Sequence, residues 1–181
     1  MTLQTFFFNP YRQATYVLSE GKHALIIDAG IYTEREQQRF AEYFAKYSLT
    51  PVAVLITHAH EDHVCGLEWL KQQWPNIMVV YQPQSGTLNL PEPFNGCVNV
   101  IPTPGHKPDA VCYYLPQHQM LFSGDTLFQE SVGRTDLQGG DYGALIHSLQ
   151  LLKQLPPETN VYPGHGYPTT IAHEITYNPY L

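Results

Sequence analysis

The sequence predicts an α/β protein with two sheets flanked by helices, folded as one domain over residues 1–181. Three observations carry that expectation. Short apolar runs rich in β-branched and aromatic residues recur along the chain, with segments of helical periodicity between them. A length of 181 residues with 43% hydrophobic content allows one sizeable core. No internal repeat or low-complexity linker divides the chain.

The elements follow in order. TFFF and TYVLS read as strands, and ALIIDAG as a third. TEREQQRFAEYFAKY reads as a helix: Thr33 and Glu36 have capping-box spacing, and Phe40, Tyr43, Phe44 and Tyr47 form one stripe. PVAVLI is a buried strand. A second helix starts near Asp62, repeats Val64, Leu67, Leu70 and Trp74, and stops at Pro75. IMVVY, CVNVIP, AVCYYL, QMLF and NVY are further strands. Residues 82–96, rich in Pro, Gly and Asn, and residues 129–140 read as surface loops, long enough in a compact domain to suggest function. A third helix opens at Asp141, carries Tyr142, Leu145, Leu149 and Leu152, and is stopped by Pro156 and Pro157. A short final helix follows Thr169 or Thr170.

Charge and cysteine content narrow the function. The formal net charge is −7, and the nine Lys and Arg residues include no adjacent pair. A nucleic-acid partner, which needs a basic patch, is not expected. No apolar run approaches the roughly 20 residues that span a bilayer, so no membrane partner is expected. The N-terminus lacks a basic start and a cleavage site, so no signal peptide is read there. Cys65, Cys97 and Cys112 are an odd number without CxxC spacing, which argues against disulfides and for a reducing, cytoplasmic setting.

The chemistry concentrates at strand ends. THAHEDH, residues 57–63, places three histidines and an aspartate directly after PVAVLI. At this chain's own composition, a chance HxHxDH is on the order of one in a thousand sequences. CVNVIPTPGH, QMLFSGD and NVYPGH end in His106, Asp125 and His165, each just after a glycine that lets the backbone turn. His58 and His60, two apart, face one side of extended chain, whereas Asp62 and His63 begin a helix and turn elsewhere. Two clusters follow: His58, His60 and His106 for one metal, and Asp62, His63 and His165 for the other, with Asp125 bridging. His23, His118, His147 and His173 lack such context and read as surface or satisfied residues.

These motifs resemble the metallo-β-lactamase fold superfamily. THAHEDH is similar to its THxHxDH signature, and His106, Asp125 and His165 stand at the remaining ligand positions in order. IIDAG resembles the early strand that carries an aspartate, here Asp28. TPGHKPDAVCYYL, FSGDTLF, GRTDLQGGD and YPGHG, followed by PTTIAHEITYNPYL, resemble short, single-domain members of the hydroxyacylglutathione hydrolase (type II glyoxalase) branch. The chain departs from that pattern at Lys107, Asp109 and Ala110, where small residues are usual, and at Ala14, where asparagine often stands. Against full-length glutathione-thioester hydrolases, the resemblance leaves no C-terminal helical substrate domain to be expected within residues 1–181. The resemblance implies a four-layer αββα sandwich of two mixed sheets.

The donor set suits two divalent metal ions, zinc first, with iron and manganese as alternatives. Two such ions acidify a shared water. With two aspartates and one hydroxide they leave about +1 of charge, ready to hold an oxyanion. The expected activity is metal-dependent hydrolysis of a thioester or related carboxylic ester, by hydroxide attack on the carbonyl of a small, anionic substrate. Asp62 is the candidate catalytic residue, ligating a metal and orienting or accepting the proton. Asp28 is read either as the partner that fixes a ligand histidine or as a strand-end carboxylate on backbone amides. Lys107 and Arg134 are candidates to meet a substrate carboxylate. Competing readings are a mononuclear-iron persulfide dioxygenase, a lactonase or β-lactamase, and a non-enzymatic metal-stabilised binding module.

Overall fold

Strand β1 (Thr2–Phe8) alternates exposed and buried positions towards Phe6 and Phe8, the pattern of a strand with one face on a core. β2 (Gln13–Glu20) and β3 (His23–Ile27) are buried nearly throughout, as their continuous apolar runs require. The computed structural model describes residues 1–181. It resolves into two compact units, residues 1–56 with 60–81 and 90–95, and residues 57–59 with 82–89 and 96–181.

The first unit is a five-stranded mixed sheet in the order β1-β2-β3-β4-β5, with β4 at Thr50–Leu55 and β5 at Met78–Val80. β1, β2 and β3 pair antiparallel, while β3, β4 and β5 pair parallel. Parallel pairing needs a crossover, and α1 (Glu34–Tyr47) supplies the one between β3 and β4. Thr33 and Glu36 form the expected capping box. Phe40 and Phe44 are buried, and the Phe40 ring meets Phe6 edge-on at 5.1 Å between centroids. Tyr47, read as part of the same stripe, is 54% exposed, because the helix ends there at a left-handed Ser48.

Glu36 does more than cap. Its carboxylate accepts the Asn9 N–H at 2.8 Å, the Tyr32 N–H at 2.9 Å and the Thr33 N–H at 2.8 Å. Partial burial alone would raise this carboxyl, but the amide bonds from Thr33, Tyr32 and Asn9 outweigh it and hold the pKa below its ordinary value. The lowered folded-state pKa makes this a contribution present above the unfolded carboxyl pKa and lost as pH falls through the depressed one. Glu36→Ala should therefore cost about 1 kcal/mol at neutral pH, solvent access keeping the loss small. The difference from the parent should shrink in acid, as denaturant titrations at the two pH values will show.

The helix expected from Asp62 to Trp74 is two helices, α2 (Glu61–Val64) and α3 (Leu67–Gln73). The break lies at Gly66, whose N–H donates to the Ala29 carbonyl at 2.8 Å instead of continuing the helix. A Cβ there would stand 2.8 Å from both Cβ and O of Ile31. The residues read as a surface loop, 82–96, include Leu90 and Phe94, buried at 4% and 0% exposure. Apolar anchors thus fix part of a segment whose Pro and Gly content suggested solvent.

The second unit is a six-stranded mixed sheet. Its strands are β6 (Gly86–Thr87), β7 (Asn99–Pro102), β8 (Val111–Leu115), β9 (Met120–Gly124), β12 (Asn160–Pro163) and β13 (Thr169–Thr170), in the order β13-β12-β9-β8-β7-β6. Only β9 and β12 pair parallel, and α4 (Tyr142–Leu152) lies between them in sequence. Leu145, Leu149 and Leu152 of α4 pack in one core with Cys112, Leu121 and Val161. β10 (Leu127–Phe128) and β11 (Ser131–Val132) make a small hairpin that begins just before the segment read as a second loop, 129–140, and places its second strand within it. α5 (Ile171–Tyr177) is capped by the Thr170 side chain. No helix is long and apolar enough to cross a membrane.

Candidate metal centre

In the first unit β4 delivers the chain towards His60, which caps α2 in extended conformation at φ −71°, ψ 144°. Asp62 and His63 follow in the helix itself. His63 is fully buried, and its Nδ1 lies 2.8 Å from Oδ2 of buried Asp28. An Nδ1–H donated to that carboxylate puts the ring's lone pair on Nε2, the nitrogen that can ligate a cation. His63 Nε2 stands 3.7 Å from Asp62 Oδ2. That exceeds a direct hydrogen bond and approaches the roughly 3.4 Å between two donors on one tetrahedral ion.

Backbone geometry serves this pair. Asp28 sits in the left-handed region at φ 59°, a conformation that aspartate tolerates better than bulkier residues. The Ala29 N–H donates to the His63 carbonyl at 2.7 Å, so one short segment holds both the main chain and the ring of His63. The Asn9 side-chain amide donates to the carbonyls of Asp62 and Gly30, both at 3.0 Å. Nothing local in the sequence singles out Asn9, since its partners lie 21 and 53 residues away. Asp28→Ala should loosen a metal bound at His63 by roughly 10–100-fold. Metal retention against a chelator, read beside the melting temperature, checks this.

The second unit carries His58, His106, Asp125 and His165. His58, His106 and Asp125 each present a ligand atom within 4.8 Å of the others. His106 Nε2 lies 3.5 Å from Asp125 Oδ2, and His165 Nε2 lies 3.6 Å from the same oxygen. The His58 and His106 rings meet edge-on at 5.0 Å between centroids. His106 Nδ1 lies 2.7 Å from the Arg134 carbonyl, which can only accept. Nδ1 therefore carries the proton, and the lone pair lies on Nε2, the nitrogen on the Asp125 side. His58 Nδ1 and Thr57 Oγ1 are 3.1 Å apart.

Strand ends explain the placement. Asp125 follows Gly124, which closes β9 in the left-handed region at φ 50°; a Cβ there would lie 2.6 Å from Thr57 Oγ1. His165 follows β12 by one glycine, whereas His106 stands four residues beyond β7, carried by a Gly105 at φ 147°. Asp109 Oδ2 accepts the Ala59 N–H at 3.1 Å, so a carboxylate three residues past His106 fastens the peptide that follows His58.

The two cations singled out in the sequence have distinct settings. Arg134 is exposed, and its guanidinium makes two bonds to Asp136, at 2.7 and 2.6 Å. Arg134 holds the Asp136 carboxyl down at about 2. Its link to the histidines is its carbonyl on His106, which no side-chain reading would reveal. Lys107 is half-buried, and its carbonyl accepts the Gly105 and Ala110 N–H groups at 3.2 and 3.3 Å. His173, read as a satisfied residue, has Nε2 2.9 Å from Glu130 Oε1. Cys112 lies in the core, where burial pushes its thiol up to about 12.

Imidazole nitrogens with their opposite nitrogen committed, beside carboxylates, form a donor set that fits Zn²⁺, Fe or Mn. A family profile described as the metallo-beta-lactamase superfamily matches residues 9–96 and 87–165. The chain is 33% identical to the "Probable metallo-hydrolase YqgX" of Bacillus subtilis (strain 168), covering 95% of this chain and 93% of that protein. It is 34% identical to the hydroxyacylglutathione hydrolase of Francisella tularensis subsp. novicida (strain U112), over 90% of this chain but only 66% of that enzyme. A crystal structure described as TTHA1623 in a di-iron-bound form matches with a TM-score of 0.81 at 33% identity, covering 98% of this chain and 100% of the other. With its two mixed sheets, its helices and its His/Asp groups able to hold a metal, the chain belongs to the metallo-beta-lactamase superfamily.

Proposed function

We propose that the protein is a hydrolase dependent on two divalent metal ions that cleaves thioesters, as type II glyoxalases do. The observation that carries this reading is the pairing of His106 and His165 with one carboxylate, Asp125, in a chain 34% identical to a hydroxyacylglutathione hydrolase. His58, His60 and His106 would hold one ion, Asp62, His63 and His165 the other, and Asp125 would serve both. Ions held there would acidify a water and polarise a substrate carbonyl. The chain's own residues do the rest. Asp28 keeps His63 in one tautomer, and the Arg134 carbonyl does the same for His106. Asp62 would ligate a metal and orient or accept the proton as the carbonyl is attacked. Lys107 and Arg134 would screen an anionic substrate, Arg134 with its charge already shared with Asp136.

Zinc suits the donors best, and the di-iron form of the similar TTHA1623 makes iron the alternative. A small-molecule substrate fits the −7 net charge, which disfavours polyanions. Because the chain spans only 66% of the Francisella enzyme's length, glutathione thioesters are tested among other thioesters rather than assumed. The deciding experiment is metal analysis of the purified protein, coupled to turnover of a panel of thioesters, lactones and β-lactams. About two metals per chain and a thioester preference are expected. Absence of metal after metal-replete growth, or a preference for lactams or lactones, would overturn the reading.

A further inference from the structure

Glu174 of α5 is fully buried, and no step proposed above uses it. Its Oε1 accepts the Thr169 hydroxyl at 2.6 Å. Its Oε2 accepts the Glu130 N–H at 2.8 Å and the Asn178 side-chain amide at 2.7 Å. Asn178 in turn donates to the Ser131 carbonyl at 3.0 Å. A buried carboxylate is costly unless its oxygens are satisfied, so these partners must stay in place for the local fold to hold.

The partners are not scattered. Thr169 lies four residues after His165, in β13. Glu130 lies in the turn of the β10–β11 hairpin and Ser131 opens β11, both between Asp125 and Arg134. At one end of that hairpin Phe128 packs edge-on against the His165 ring, 6.3 Å between centroids. Past the other end Gly133 leaves no room for a Cβ, which would meet the Asp125 carbonyl and the His106 Cβ, and the Arg134 carbonyl holds His106 Nδ1. One anion thus ties the segment carrying His165 to the hairpin that orders Asp125 and His106.

We propose that Glu174, relayed by Asn178, is a positioning residue: it sets the mutual placement of His106, Asp125 and His165. The inference rests on the reading that these three hold metal. Glu174→Gln keeps the volume but removes the charge that strengthens all three bonds, and with its carbonyl on Glu130 and Asn178 its –NH₂ faces Thr169, whose hydroxyl must reverse to accept.

The test is zinc release from loaded protein to a competing chelator, read beside the melting temperature. Phe44→Leu, in a core cluster of the first unit that includes none of these residues, is the control for simple destabilisation. Glu174→Gln is expected to lose zinc about 10–100-fold more readily than the parent, while Phe44→Leu melts lower and retains its metal. Asn178→Ala should shift release the same way by a smaller factor, and it decides the question if Glu174→Gln does not accumulate as folded protein. Unchanged zinc release in the variant that is read, or equal loss in Phe44→Leu, would overturn the proposal. A parent protein that holds no zinc would instead overturn the metal reading itself.

Discussion

Asp125→Ala should remove hydrolysis and strip the protein of metal. The Asp125 carboxylate faces two of the histidines, with Oδ2 3.5 Å from His106 Nε2 and 3.6 Å from His165 Nε2. Deleting it leaves imidazoles facing one another without the anion that makes a cation welcome among them. A side chain that only supports a ligand is worth roughly 10–100-fold in metal affinity, so a shared ligand should exceed that. Metal content by elemental analysis and thioester turnover should fall together, while the strands around β9 keep their circular dichroism. Asp125→Asn separates charge from shape: it retains the outline but not the anion, and should recover little. Full activity in either variant would remove Asp125 from the shared position.

Gly133→Ala should be nearly as damaging by another route. A Cβ at this position would overlap the Asp125 carbonyl and come within 3.1 Å of the His106 Cβ. Neither neighbour can step aside freely, since the first is backbone and the second belongs to a ring whose Nδ1 is fixed by the next residue along, Arg134. Relief must come from moving β11 or the Asp125 turn. Overpacking typically costs 1–3 kcal/mol, and contact with backbone places this case at about 3 kcal/mol. The expected result is a lower melting temperature together with weakened metal retention. A variant that melts like the parent would mean that the hairpin yields more easily than its contacts imply.

The contrast between these two positions shows what a linear reading can reach. Asp125 is visible because its chemistry is local: an apolar strand, a glycine, then a carboxylate. The same holds for α1, where Thr33, Glu36 and the aromatic spacing lie within one segment, and the observed cap is the expected one. Gly133 is invisible because its reason to be glycine lies eight residues upstream, in a carbonyl that only the folded chain brings near. Gly66 splits an otherwise regular helical pattern for the same kind of reason, its neighbours being Ala29 and Ile31. Glu174 carries no signal of its own in the linear chain, since its burial comes from Thr169, Glu130 and Asn178 closing round it. The hairpin at Leu127–Val132 escaped notice because two-residue strands leave too little periodicity to detect. Polar donors betray themselves by type and spacing, whereas the contacts that aim them are set by distant backbone.

The bond from His106 to the main-chain oxygen of Arg134 has an evolutionary corollary. Every amino acid supplies that oxygen, so the residue at 134 is at liberty to change its side chain without disturbing the imidazole. On the proposed reading, a library randomised at 134 should yield altered substrate preferences among folded proteins that bind metal like the parent.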